Sequence, residues 1–262
     1  MTRIVKAELM RFGRRRTVLF AGLGALGYAL LATFTVINGA KATGVASRQS
    51  GTTLAMLRGH GGGTQAFAVG ASFVGFFIFV IFIALMATEF SGGTFRALLV
   101  RDPHRRRLIV GKLVGLLLVA AAVVATAELL SFGLSLLVAP SRHIATSAWL
   151  SWGGLGAGLH DYGTVFGGIV GWAIFGTTLG VIFRSAPIAL GVGFAWAGPF
   201  ENIVSRSWGT GYRIFPGQVL DSLIRGGTIE LGMARAVFTA MIYAAVAGAV
   251  ALTLVSRRDV TA

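Results

Sequence analysis

Cysteine is missing from all 262 residues, which excludes disulfides, thiol nucleophiles and thiolate metal sites. Charge is scarce as well: Asp, Glu, Lys and Arg make up only 12% of the chain, about half the share of an ordinary soluble domain. No G-x-x-x-x-G-K-[ST] phosphate loop, H-E-x-x-H helix or G-x-S-x-G elbow occurs, so the chain lacks the residue sets for ATP hydrolysis, zinc proteolysis and serine-esterase chemistry. His60-Gly61-Gly62-Gly63 looks like an oxyanion loop, but without the elbow it reads as a flexible loop. His60, His104, His143 and His160 never fall at ligand spacing with one another or with carboxylates, which leaves no metal site to expect. The sequence implies no enzyme and no cofactor bound by this chain.

What the chain has in quantity is apolar: 55% of residues are hydrophobic, mean hydropathy is +0.79, and 38 glycines allow close helix packing in lipid. A crossing needs about 20 apolar residues. The clearest runs are 17–37, 66–88, 113–138, 163–183, 186–204 and 233–255. These predict one all-α integral membrane domain over residues 1–262 with six transmembrane helices. Only Arg184 and Ser185 separate the fourth and fifth runs, which predicts a tight hairpin there, aided by Pro187.

With six crossings both termini share one side. That side collects fifteen of the 23 Lys and Arg residues and the other side eight, which puts both termini in the cytoplasm by the positive-inside bias. The net charge of +14 therefore reads as topology and not as a nucleic-acid surface. Residues 1–16 put Val5, Leu9 and Phe12 on one helical face, as expected of an interfacial amphipathic helix on an anionic leaflet. Outside the membrane fall 38–65, 139–162 and 205–232, each too short for a separate folded domain. Trp149, Trp152, Tyr162, Trp208 and Tyr212 cluster at outer ends, where amphipathic rings favour the headgroups. From Phe215 to Ile229, Val219, Leu220, Leu223 and Ile224 stand at helical spacing beside an Asp221–Arg225 i, i+4 pair. This predicts a short amphipathic or re-entrant helix before the last crossing.

The most informative stretch joins the second and third crossings. Glu89 ends the second at the membrane surface, close to six cations of the same loop, and a salt bridge is expected there, with Arg96 or a later arginine as partner. A short helix is expected to begin near Gly93 and Thr94 and to stop before Pro103, with Leu98 and Leu99 as an apolar knob suited to a partner's groove. Arg105, Arg106, Arg107 and Lys112 follow.

The order Glu89, Gly93-Thr94, Arg96, Leu98-Leu99, Pro103, Arg105 to Arg107 and Lys112 resembles the membrane subunits of ABC-2-type transporters. Weaker likeness extends to the basic N-terminal helix, the turn Gly180 to Ser185, and Arg257-Arg258-Asp259-Val260 at the end. The resemblance implies a bacterial plasma-membrane permease that dimerises, with two ATP-binding subunits beneath it that use ATP and Mg. It further implies that 90–103 is their coupling helix and that the direction of transport is outward. The cargo it leaves open: drug, antibiotic or lipid. A non-transporting membrane accessory or assembly factor is the alternative reading, and it leaves the loop pattern unexplained.

Glu128 stands apart, about 24 Å of helical rise beyond Lys112, in the outer half of the third crossing. A carboxylate there faces protein or water, either lining a translocation path or locking helix packing. Asp161 and Glu201, near the outer ends of the fourth and fifth runs, are expected to cap helices, pair with Arg142 or Arg206, or border an exit.

Overall fold

A computed structural model describes residues 2–41, 52–101 and 104–257; the side chains of Arg96 and Arg101 lie outside the described part. Apart from one isolated bridge, Lys41 to Thr53, the regular structure among the described residues is helical. In chain order the helices are α1 Thr2–Phe12, α2 Arg15–Gly39, α3 Leu54–Arg58, α4 Gln65–Ser91, α5 Thr94–Arg101, α6 Arg105–Val138 and α7 Trp152–Phe183. Then come α8 Ala186–Ala195, α9 Glu201–Ser207, α10 Gly211–Ile214, α11 Pro216–Ile224 and α12 Met233–Arg257.

Five helices, α2, α4, α6, α7 and α12, are long and apolar enough to cross a membrane. Their outward faces carry bare Phe20, Leu31, Phe73 and Leu129, each more than 70% exposed. Apolar surface on that scale, on helices that satisfy their own backbone, belongs in lipid, and the protein is membrane-embedded. The run expected over 186–204 takes a different form. Helical backbone continues from Ala186 to Ser207, but a π-helical turn, Trp196–Phe200, with Pro199 inside it divides α8 from α9. Proline has no N–H for the α-helical ladder, which accounts for the break in register at that point.

Helix α7 is the hub. Of its most apolar window 61% is buried, against 17–39% for the other four long helices. Glycine makes this possible. Gly176 and Gly180, one turn apart, press on α4, where a Cβ would come within 2.8 Å of the Phe79 carbonyl oxygen and of Met86 Cβ respectively. Gly168 and Gly171 form notches that receive Ile224 and Leu220 of α11. On the far side of α7, the Thr178 hydroxyl donates to the Ala247 carbonyl of α12 at 3.1 Å. Helix α7 ends in the expected hairpin: Arg184 takes a left-handed backbone, φ 51°, and Ser185 an extended one before Pro187 in the first turn of α8.

The described part of the segment between α2 and α4 is more ordered than its composition suggests. Thr53 caps α3, and His60–Gly63 is a 3-10 turn instead of a flexible loop. Gly62 lies against the Leu57 carbonyl and the Trp149 indole, and Gly63 against Phe132. Trp149 is therefore not an interfacial anchor; it is buried and donates its indole N–H to the Leu57 carbonyl at 2.8 Å. Trp152 and Trp208 remain exposed. The segment 42–51 lies outside the described residues.

Candidate functional site

Helix α1 does more than rest on a leaflet. Its buried residue is Glu8, with Ile4, Val5 and Phe12 half-buried beside it and Leu9 exposed. The seat is a pair of glycines one turn apart on α6: a Cβ at Gly111 would stand 3.0 Å from Ile4, and one at Gly115 2.8 Å from Glu8 Cβ. Removing both side chains lets the α1 backbone come close enough to carry Glu8 into the bundle, next to Lys112.

Lys112 Nζ donates to Glu8 Oε1 at 2.6 Å and pairs with Glu89 Oε1 at 2.7 Å. Arg11 adds a bond to Glu89 Oε1 at 3.2 Å and stands 3.8 Å from Glu8 Oε2. The lysine and both glutamates are sealed, while the Arg11 side chain is half exposed and closes the cluster from outside. Two acids and two bases balance formally, so the cluster brings no net charge into the bundle. The second carboxylate oxygens, Glu8 Oε2 and Glu89 Oε2, have no hydrogen-bond partner among the described residues. Three chain segments, α1, the end of α4 and the start of α6, are thus fastened at one lysine.

The bridge expected at Glu89 is made, but by Lys112 and by Arg11 of the N-terminal helix. Sequence reasoning missed Glu8 and Arg11. An acid in an otherwise basic N-terminal segment was the available signal. Arg105 and Arg106 turn the other way, towards the Val255 carbonyl at 3.5 Å and the Ser256 hydroxyl at 3.3 Å, where they satisfy the C-terminal end of α12.

The loop helix α5 opens at Thr94, after Gly93 has taken φ 69°, a backbone that strongly favours glycine. Phe90 and Ser91 belong to α4, so the helix is shorter than 90–103, and Asp102 and Pro103 lie outside the described residues. Phe95 is buried with Met86, Leu108, Ile109, Val181 and Val255. Leu98 and Leu99 are half-buried against that same cluster and do not stand out as a free knob. The apolar side chain that projects from α5 is Val100, 86% exposed.

Across the membrane, Glu128 is half-buried where α6 meets α7, facing Gly158. Asp161 accepts the Thr64 hydroxyl at 2.6 Å and lies 3.6 Å from His160, not beside Arg142, which instead donates to the Asn38 and Ala40 carbonyls. Glu201 is fully buried over the first turn of α11. Among the described residues no group of three His, Cys, Asp or Glu side chains has the geometry to hold a metal.

The sequence profile of DUF2705, described as a protein of unknown function, matches residues 29–261. The chain belongs to this family. No curated protein matches it. In this DUF2705 chain the matched stretch runs from the middle of α2 through α12, and so takes in Glu89, α5 and Lys112, while Glu8 and Arg11 precede it.

Proposed function

We propose that this DUF2705 chain is the membrane permease subunit of an ABC-2-type ATP-driven exporter. The observation that carries the reading is the fastening of α5 to the bundle: the segment before it and the segment after it meet at Glu89 and Lys112, and α1 is clamped to the same point. A short helix held this way passes a push to the bundle instead of absorbing it by bending. A merely structural loop of this length has no need of three buried charges, whose desolvation opposes folding.

In this reading Ala186–Ser207 is the fifth of six crossings, kinked at its π turn, and both termini are cytoplasmic. Two copies associate, and two ATP-binding subunits that use ATP and Mg dock beneath them. Gly93 and Thr94 start the coupling helix, Glu89 braces it, and Val100 together with the outer edges of Leu98 and Leu99 meets the ATPase. The bundle alternates between inward-open and outward-open arrangements and moves a hydrophobic or amphipathic compound outward.

Purification of the tagged chain from its native membrane in mild detergent tests this. A nucleotide-binding protein is expected in stoichiometric amount, and Val100→Asp is expected to lose it without altering the melting temperature of the permease. A chain that purifies alone, stable and without bound ATPase, would leave the accessory-factor reading instead.

A further inference from the structure

The residue that closes α7 is not the one its backbone favours. A helix closed by a left-handed residue usually has glycine there, which carries no Cβ to strain that conformation. The chain holds 38 glycines, yet the left-handed position after Phe183 is Arg184, with φ 51° and its N–H donated to the Gly180 carbonyl. A base near a helix C-terminus complements the dipole from many directions, so charge alone does not fix where the side chain goes. It goes to a ring: Arg184 Cζ stands 5.4 Å from the centroid of Phe90.

Phe90 lies at a junction. It follows Glu89, which Lys112 holds, and its ring packs on that of Phe95 with centroids 4.6 Å apart. Phe95 is 1% exposed and roots α5 in the bundle. Val181 of α7 belongs to the same core, so α5 and the end of α7 are already packed together. Arg184 carries that contact one step further, because Arg184 and Ser185 are the whole link between α7 and α8. Along α8, Ala189 is buried and Gly193 presses on Ile83 and Phe79 of α4, while Ile188, Val192 and Phe194 are exposed. The direction in which α8 sets out is thus fixed at Arg184, and its far end runs into the π turn.

We propose that Arg184 is a positioning residue that ties α8 to α5 through Phe90, so that a displacement of α5 reorients the inner end of the kinked helix Ala186–Ser207. The inference rests on the exporter reading for the origin of the push. When α5 moves, Phe95 carries the Phe90 ring with it, and the guanidinium on that ring follows. Two residues of chain between α7 and α8 leave little slack to absorb the shift. Arginine suits this contact because a planar, weakly hydrated guanidinium stacks on aromatic rings.

The test uses the permease in nanodiscs with the ATPase that co-purifies, and exploits the absence of native cysteine. Ile188→Cys, at an exposed position at the start of α8, carries a bimane fluorophore whose emission reports its surroundings. ATP with vanadate is expected to shift that emission. Arg184→Gly keeps the left-handed backbone and removes only the side chain; it is expected to cut the shift about fivefold, the factor that corresponds to one cation–π contact, with the ATPase still bound in full amount. Phe90→Leu is expected to do the same, and the double variant to lose no more than either single one, because both remove one contact. Arg184→Lys, which keeps the cation, is expected to retain most of the shift. An undiminished shift in Arg184→Gly, additive losses in the double variant, or Arg184→Lys no better than Arg184→Gly overturns the inference. So does a parent chain whose emission does not respond to ATP, and so does loss of the ATPase from Arg184→Gly, which would make Arg184 a docking residue. A parent chain that purifies without an ATPase removes the exporter reading and the inference with it. That result is read before any fluorophore is attached, so the two failures are distinguishable.

Discussion

At the scale of single residues, the Lys112 cluster turns on an imbalance: one sealed lysine serves two sealed glutamates, and the Arg11 side chain is half exposed. Lys112→Met leaves two buried carboxylates with only a peripheral partner, and is expected to destabilise the chain by about 3–5 kcal/mol. The triple variant Glu8→Gln, Glu89→Gln, Lys112→Met removes all three charges and is expected to recover most of that loss. Thermal unfolding of the purified protein in detergent compares the two, and a triple variant no more stable than Lys112→Met would show that the charges are not mutually compensating. Glu89 and Lys112 stood out in the sequence because an acid at a helix end and a lysine before an apolar run are conspicuous. Glu8 did not, because its partner is 104 residues away and only the bare backbone of Gly111 and Gly115 lets α1 reach it.

At the scale of elements, α7 makes its contacts through glycine, and the positions are not equivalent. Gly176→Leu forces a side chain into the α4 backbone at Phe79 and is expected to cost about 1–3 kcal/mol or more. Gly133→Ala, in α6 with nothing within 4 Å of the new methyl, is expected to be neutral or stabilising by up to about 1 kcal/mol, as for any open helical glycine. Melting temperatures of the two variants, read side by side, check the contrast. Helix α11 shows the same dependence on context. Its apolar spacing and its Asp221–Arg225 pair, found at 3.1 Å, were legible. That it is buried on nearly every side, and hence inserted among α7, α9 and α12 instead of lying on a surface, depends on the notches at Gly168 and Gly171.

At the scale of the whole molecule, the exporter reading requires an even number of crossings. Tags at the two termini are expected to be protected from protease on the same side of sealed, right-side-out vesicles. A thiol introduced at Trp208 is expected to label from the opposite side. Accessibility of the two termini from opposite faces would remove Ala186–Ser207 as a crossing and with it the six-helix arrangement. The kinked helix is the element on which this depends, and length alone does not decide it, because the π turn divides the run into pieces each shorter than a bilayer.

The sequence by itself determined the solvent. Long apolar runs with most charges at their ends admit no other environment, and helices follow, because lipid leaves backbone groups no partner but their own chain. Hairpin and helix-start positions at Arg184, Ser185, Gly93 and Thr94 were legible too, since local backbone preference is carried by the residues themselves. Which face of each helix turns inward was not legible in nearly uniform apolar runs, where periodicity is weak. Glycine decided it, by where two backbones can touch, and that is a property of pairs of helices. Only the tertiary structure therefore brought α1 onto α6, made Lys112 the meeting point of Glu8 and Glu89, and set Glu201 over the end of α11.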